Sequence, residues 1–327
     1  MVVVLFDEDP LSRDLVFVRV KWENPLDVST IPGLMIANWS PIRDYEESSI
    51  ALEVPELSRL YAMWKEQRER IRTTSTFNRF EIELKREWAI ETGLIERLYS
   101  FNQSVTDALI KSGIRADLIP PKENTDSKLV ELMIKDQESA LEHVIAFDEQ
   151  GRELTPSFIK ELHSLITQHQ DFAEGRDQFG RRVKLPLKKG EFKKKPNNPT
   201  ISDGSIYEYC PPEHVDAEMD RLCELHRQHK TLQVSPEVEA AWLHHCFINI
   251  HPFQDGNGRV ARSLATLVFV QAGWFPLVVR DRERTRYIDC LERADAGNLH
   301  DLITFFGELQ QQTFFQVLSI AQSSNQI

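Results

Sequence analysis

The sequence predicts an all-α fold interrupted by one short β-hairpin. Apolar residues recur at helical spacing through most segments from Val54 onward. Start and stop residues bound several of those segments. One stretch, 171–212, exchanges that periodicity for glycine, lysine, proline and asparagine. With 327 residues, 41% of them hydrophobic and 28% charged, the chain has the material for a sizeable core.

Residues 1–70 read as an N-terminal extension, with short strands at VVVLF and LVFVRV and turns at ENP, TIPG and SPIRD. Within it, VPELSRLYAMWKEQRERI places Leu57, Leu60, Tyr61 and Trp64 on one helical face. A second helix is expected over 77–100, and a shorter one over VTDALIKSG, ending at Gly113. The next, LVELMIKDQESALEHVIAFDEQ, closes a helical region spanning 71–150. Thr155 as N-cap and Pro156 at the first helical position open LTPSFIKELHSLITQH. GEFKKKPNNPTISDGSIYEYCPP suggests two strands around an irregular turn. Helices return at EHVDAEMDRLCELHRQH and at SPEVEAAWLHHCFINI, where Ser235 is the expected N-cap and Glu237 sits near the positive end. Val260, Leu264, Leu267 and Val268 form the buried stripe of VARSLATLVFVQAG, which Gly273 stops. RYIDCLERADAG and LHDLITFFGELQQQTFFQVLSIAQ complete the chain, and residues 311–327 are the end of the last helix and a tail.

A net charge of −12 and a pI near 5.4 argue against broad nucleic-acid binding, which needs many cationic phosphate contacts. Cys210, Cys223, Cys246 and Cys290 show no CxxC spacing, so a reducing compartment is expected rather than a disulfide framework. The start lacks the basic flank and long apolar run of a signal peptide, and no stretch has the length of a membrane span. A soluble, cytoplasmic protein is the expectation.

The densest chemistry lies in HPFQDGNGRVAR, His251 to Arg262. Read as a loop entering a helix, it sets Gly256 and Gly258 where close backbone approach is allowed and N–H groups lack helical partners. Such a helix start is an anion cradle suited to phosphate. Arg259 and Arg262, three apart, add two guanidiniums able to oppose a di- or triphosphate. Asp255 at the rim suits Mg²⁺, which takes one or two carboxylates plus phosphate oxygens. His251 is suited to take a proton from an attacking hydroxyl, and Phe253 reads as an apolar anchor. A turn with solvated charges explains any one of these residues, but not the ordered set.

HPFQDGNGRVAR resembles the Fic-family signature His-Pro-Phe-x-Asp/Glu-Gly-Asn-Gly-Arg-x-x-Arg at every specified position. AAWLHHCFINIHPF is similar to the preceding helix of that family, and RYIDCLERADAGNLHDLITFF to the helices that follow. GEFKKKPNNPT and IYEYCPPEHV are similar to its flap hairpin, so the likeness runs from about residue 77 to 307. The resemblance implies a Fic-type helical core over 151–310 that transfers AMP from ATP to a Ser, Thr or Tyr hydroxyl of a target protein, releasing pyrophosphate. It implies His251 as general base, Asp255 as Mg²⁺ ligand, and Gly256, Asn257 and Gly258 as anion hole. Arg259 would meet the α/β-phosphate region and Arg262 the γ-phosphate, with Val260 and Ala261 inside the same nucleotide-binding run. Tyr287 falls where the family walls the adenine. ATP, Mg²⁺ and a target protein held at the flap, about 190–211, are the implied partners; membrane and nucleic acid are not, and a homodimer stays open. Transfer of another group such as UMP, and a non-catalytic nucleotide-sensing regulator, are the alternatives.

Many members carry an inhibitory helix with Ser/Thr-x-x-x-Glu-Gly/Asn. In TGLIER, Thr92 and Glu96 stand one turn apart on one face. Glu96 would pair with Arg262 and keep it from the γ-phosphate. Arg97 departs from the usual Gly or Asn, leaving either a loosened helix or a different local pairing. A solvated helix glutamate is the plainer reading.

Two further clusters carry alternatives. In LHHCFINIH, His244, His245, Cys246 and His251 suggest a metal, but neighbouring residues on a helix point about 100° apart and HExxH is absent. His163, His214, His226 and His229 read as helix surface or ordinary packing. RRVKLPLKKGEFKKK gathers eight cations and one acid in fifteen residues; it suits a solvated hairpin face, a nucleic-acid patch, or an edge that holds an acidic target segment.

Overall fold

The computed structural model describes residues 3–5, 16–18, 39–45, 54–121, 126–176, 181–199 and 206–323. β1 (Val3–Leu5) and β2 (Val16–Val18) pair antiparallel, Val4 opposite Phe17, where short strands were expected. The turns expected at ENP and TIPG lie outside the described residues.

α1 (Pro55–Ile71) buries Leu57, Leu60 and Trp64 as the spacing predicts. α2 (Ser75–Ile95) is capped by Thr74, whose side chain accepts from Phe77 N. It ends before Ser100 because Leu98 N bonds Gly93 O at 3.1 Å and Arg97 N bonds Leu94 O at 3.0 Å, with Arg97 left-handed at φ 58°. α3 (Gln103–Ser112) and α4 (Ser127–Glu149) are capped by Asn102 and Asp126. α5 (Pro156–Ile166) is capped by Thr155, which accepts from Phe158 N. β3 (Phe172–Arg176) and β4 (Arg182–Pro186) form an antiparallel hairpin, Ala173 opposite Leu185. α6 (Val215–Leu232), α7 (Pro236–Ile250), α8 (Asn257–Gln271), α9 (Arg284–Asp295) and α10 (His300–Ser323) follow.

Two expectations need correction. The regular hairpin lies at 172–186, upstream of the 190–211 stretch. Prolines 196, 199 and 211 interrupt that stretch, and its described part shows only bridge residues at Ile206 and Tyr207; residues 200–205 lie outside the description. Ser235 occupies the N-cap position of α7, but its hydroxyl makes no capping bond.

The core is centred on α7 and α8. α7 buries Val238, Ala240, Ala241, Leu243, Phe247 and Ile250, apolar on nearly every side, the pattern of a central helix. α8 buries Val260, Ala261, Leu264, Ala265 and Leu267 against it. Helices α2, α4, α5, α6, α9 and α10 pack around the pair. Trp88 on α2 donates its indole N–H to Thr266 Oγ1 on α8 at 3.0 Å, and Leu277 N donates to the same oxygen at 3.2 Å. All four cysteines are free and buried. No helix among the described residues is long and apolar enough to cross a membrane.

Residues 39–45 dock on α6 and α7 through buried polar groups. Ile42 N donates to Glu218 at 2.7 Å and Tyr45 OH to Glu239 at 2.6 Å. His226 and His229, expected as surface or plain packing, reach Glu239 at 2.6 and 2.8 Å, and His229 also meets Asp44 at 2.7 Å. Burial works against charge on His229, but Glu239 and Asp44 outweigh it and raise its pKa.

Leu264→Ala, at the α7–α8 contact, is expected to cost about 2–5 kcal/mol. Urea unfolding checks it, and a midpoint equal to the wild type would show that α8 is not the packed centre.

Candidate active site

The chain reverses between α7 and α8. His251 caps α7 in the left-handed region, φ 49° and ψ 55°, and Gly256 precedes α8 with φ 81°. A Cβ at Gly256 would sit 3.2 Å from Thr167 Cγ2 and 3.3 Å from Arg259 Nη2. Asn257 staples the loop: its Oδ1 accepts from Phe253 N at 2.9 Å and its Nδ2 donates to Phe253 O at 2.8 Å. The first described backbone bond of α8 runs from Val260 N to Gly256 O, 3.1 Å, so the N–H groups of Asn257, Gly258 and Arg259 precede it. The anion cradle is therefore backbone, and the Asn257 side chain serves the fold. Val260 and Ala261 are fully buried in the core, which leaves their side chains out of any nucleotide site.

His251 Nδ1 lies 3.2 Å from the Ile248 carbonyl, which can only accept, so Nδ1 carries the proton and Nε2 the lone pair. Tyr209 stacks on the ring at 3.8 Å. Burial, and then the Lys193 ammonium, push the imidazole down to about 3. His251 is thus a neutral base at physiological pH.

Asp255 is held from three sides. Gln170 Nε2 donates to Oδ2 at 2.7 Å, Gly256 N to Oδ1 at 2.6 Å, and His163 Nε2 lies 3.0 Å from its carbonyl. Gly190 N donates to His163 Nδ1 at 2.8 Å, so His163 gives its own proton to Asp255 O. His163, which the sequence placed with ordinary packing, is a buried bridge stacked on Phe253 at 3.8 Å. Nothing in the motif signals either Gln170 or His163, since both come from the end of α5 and the turn after it.

The two arginines diverge. Arg259 donates to Gln170 Oε1 at 2.6 Å and Ile166 O at 3.3 Å, its Nη2 4.0 Å from Asp255. It braces the Asp255 side of the loop. Arg262 donates to Glu96 Oε1 at 2.7 Å, Thr92 O at 3.0 Å, Thr92 Oγ1 at 3.2 Å and Tyr287 OH at 3.4 Å. A Cβ on Gly258 would run into Glu96 Oε1, so that carboxylate lies over the start of α8. Thr92 and Glu96 meet one guanidinium because they share a face of α2. Tyr287 is buried, its OH 2.8 Å from His244 Nε2, beneath Arg262 rather than as an open wall for a base.

The end of α2 is moored to residues 280–284. Glu87 meets Arg280 at 2.7 Å, Glu91 accepts from Asp281 N at 2.7 Å, and Ile95 O accepts from Arg284 at 2.9 Å. Arg97 pairs with Asp281 at 2.6 Å. Its left-handed backbone explains why Gly or Asn suits this position, and the Asp281 contact is the different local pairing.

The metal reading of LHHCFINIH does not survive the geometry. His244 faces Tyr287, His245 faces Asp295 at 2.9 Å, and Cys246 faces Arg43 O at 4.0 Å. Among the described residues no group of three or more His, Cys, Asp or Glu is arranged to hold a metal. One carboxylate beside unpaired N–H groups does suit Mg²⁺ brought in by a polyphosphate. Lys193 leaves the basic patch: it is buried, while Lys194 and Lys195 are exposed.

The fold and this loop define a helical protein in which, among the described residues, a helix start with unpaired N–H groups lies beside a neutral imidazole. Residues 153–269 match the Fic/DOC family. A protein adenylyltransferase Fic from Drosophila persimilis is 27% identical over 176 residues, 53% of this chain and 30% of the relative. The corresponding Drosophila virilis protein is 27% identical over 53% of this chain and 32% of its own length. The aligned region therefore spans about a third of these relatives. Among solved structures, a Fic domain-containing signaling protein from Bacteroides thetaiotaomicron shares the fold with TM-score 0.62 and 24% identity, covering 81% of this chain and 94% of that one. Fic-1 from C. elegans superposes with TM-score 0.59 and 19% identity, covering 82% and 72%. Residues 153–269 thus carry the likeness to the Fic/DOC family, within a fold shared with solved Fic-domain structures.

Arg97→Gly is expected to change stability by less than about 1 kcal/mol, because relief of the left-handed backbone, about 1–2 kcal/mol, is offset by loss of an exposed ion pair, about 0–1 kcal/mol, and by the glycine entropy cost, about 0.5–1 kcal/mol. Asn257→Ala should cost about 2 kcal/mol by leaving the buried Phe253 N–H unpaired. Urea midpoints decide both, and an Arg97→Gly protein destabilised by about 2 kcal/mol or more would overturn the backbone argument.

Proposed function

We propose that the protein is an adenylyltransferase that moves AMP from ATP to a Ser, Thr or Tyr hydroxyl of a target protein. The observation that carries this reading is the bare Nε2 of a neutral His251 at the lip of an oxyanion cradle. A pure nucleotide sensor has no need of a poised base.

In this reading the α8 N–H groups and Arg262 bind the triphosphate. Asp255, held by Gln170 and its own loop, is the residue that would hold Mg²⁺, whose charge would offset that of the phosphates. The target hydroxyl oxygen attacks the α-phosphorus. An O–P bond forms, the bond from that phosphorus to the oxygen bridging to the β-phosphate breaks, and pyrophosphate leaves with the bond's electron pair. His251 Nε2 takes the hydroxyl proton as the bond forms. The target segment would lie alongside residues 190–211, with Lys194 and Lys195 favouring acidic sequences. Glu96 would hold the enzyme in check by keeping Arg262 from the γ-phosphate. A cytoplasmic setting fits four free thiols.

The deciding experiment is intact-mass analysis of Glu96→Gly protein after incubation with ATP and Mg²⁺. One adenylyl group per modified site is expected, with labelling about 10- to 100-fold above wild type, the worth of one charge-assisted hydrogen bond. His251→Ala in that background should cut labelling by about 10²-fold or more while ATP still binds. Equal labelling of wild type and Glu96→Gly removes Glu96 as a brake. Tight ATP binding without any adduct overturns the transferase reading in favour of a sensor, and a uridylyl adduct from UTP would change the donor.

A further inference from the structure

Lys193 is a buried cation with no carboxylate partner among the described residues. Its Nζ donates to Asn197 Oδ1 at 2.8 Å and to Ile250 O at 3.4 Å, and lies 5.7 Å from the centre of the Tyr209 ring. Its backbone N–H donates to Pro252 O at 2.7 Å. One residue thus grips the carbonyls on both sides of His251, whose backbone takes the unfavourable left-handed conformation. Asn197, held by the ammonium, in turn donates to Phe253 O at 2.8 Å. One face of the imidazole is covered by the Tyr209 ring, whose centroid lies 3.8 Å from that of His251.

We propose that Lys193 is the positioning residue for His251, holding the imidazole in place through its flanking carbonyls and adding a like charge that opposes its protonation. This deepens the transferase reading and rests on it for its catalytic meaning, though not for the geometry. An unpaired ammonium costs free energy to bury, and its own pKa falls to about 8, chiefly through desolvation. That cost is hard to account for as packing, since a methionine would fill the same space. It is accounted for if the charge acts on a neighbour. Among the described residues, the groups facing the imidazole are Lys193, the Tyr209 ring and the Ile248 carbonyl. Of these only Lys193 carries charge near neutrality, because burial raises the Tyr209 phenol to about 12. The sign follows directly. Removing a positive charge makes the protonated imidazole less unfavourable, so the histidine titrates at higher pH and loses its basic lone pair sooner as pH falls.

The test is an NMR titration of ¹³C-histidine-labelled protein, following the His251 ring in wild type, Lys193→Met, Lys193→Gln and Lys193→Arg. The neutral variants should raise the His251 midpoint by about one unit or more, the size of effect expected from a nearby like charge. Lys193→Arg should leave it where the wild type has it. Lys193→Gln keeps a donor for Ile250 O without charge, so it decides the matter if Lys193→Met does not fold. In the Glu96→Gly background, the acidic limb of the rate-against-pH profile should move up by the same amount in the neutral variants and stay in place with arginine. Identical His251 midpoints in wild type and Lys193→Gln would overturn the proposal. Should Glu96→Gly form no adduct at all, the transferase reading falls, while the ring titration still decides the role of Lys193.

Discussion

The site depends on one reversal of the backbone. Between the last turn of α7 and the first of α8 the chain passes through two left-handed residues, and only Gly256 adopts that conformation without steric cost. His251 pays about 1 kcal/mol for it, and the surroundings hold it there. Phe247 O accepts its amide, the Ile248 carbonyl takes its ring proton, and Tyr209 covers its face. Asn257 then locks the turn by holding both backbone groups of Phe253. Because α7 and α8 form the packed centre of the molecule, the reversal is fixed at its base as firmly as the core itself. A polar loop is thereby presented on rigid helices, the condition for binding charge without reorganisation.

Charge at the start of α8 shows how the same geometry serves opposite ends. The unpaired N–H groups and Arg262 attract any anion within reach. In this structure that anion is the Glu96 carboxylate, one turn beyond Thr92. Arg262 is buried, and burial alone would lower its pKa. Glu96 and Tyr287 outweigh that and raise it, so the guanidinium stays a cation with its donors directed at α2 and α9. An oxyanion arriving from solvent competes with a carboxylate already seated there. Arg259 is engaged differently, its Nη2 donating to Gln170 and its Nη1 to the Ile166 carbonyl, while its Nε is buried without a partner among the described residues.

Much of this was legible in the residues. The helical spacing of Leu57, Leu60 and Trp64, the cap at Thr155 and the stop at Gly273 are local signals, and local signals were enough for those elements. The motif from His251 to Arg262 disclosed a tight loop entering a helix because its glycines sit where the backbone turns, and Gly256 does take a positive φ at the start of α8. What escaped is what tertiary contact decides. Tyr287 looked like a wall and is a buried link between Arg262 and His244, a difference that spacing on one helix does not encode. His163 and Gln170 hold Asp255 from more than 80 residues away in the chain. A regular hairpin stands upstream at 172–186, where an apolar pair, Ala173 and Leu185, is in register, while Pro196, Pro199 and Pro211 interrupt the described part of 190–211. Arg97 broke the expected residue type without breaking the helix end, since a left-handed arginine is affordable where Asp281 holds its side chain.

The mooring of α2 bears on timing. Trp88 is pinned to Thr266 in the core, and Glu87, Glu91 and Ile95 are each tied to residues 280–284. A helix so anchored does not swing out as a body. Departure of Glu96 from Arg262 therefore requires only rotation about side-chain bonds, in a group that is partly open to solvent. Such rotamer exchange runs in picoseconds to nanoseconds, against microseconds to milliseconds for displacement of a helix. The Glu96–Arg262 contact would then turn over on the time of its own torsions, and its occupancy would follow the competition for one guanidinium.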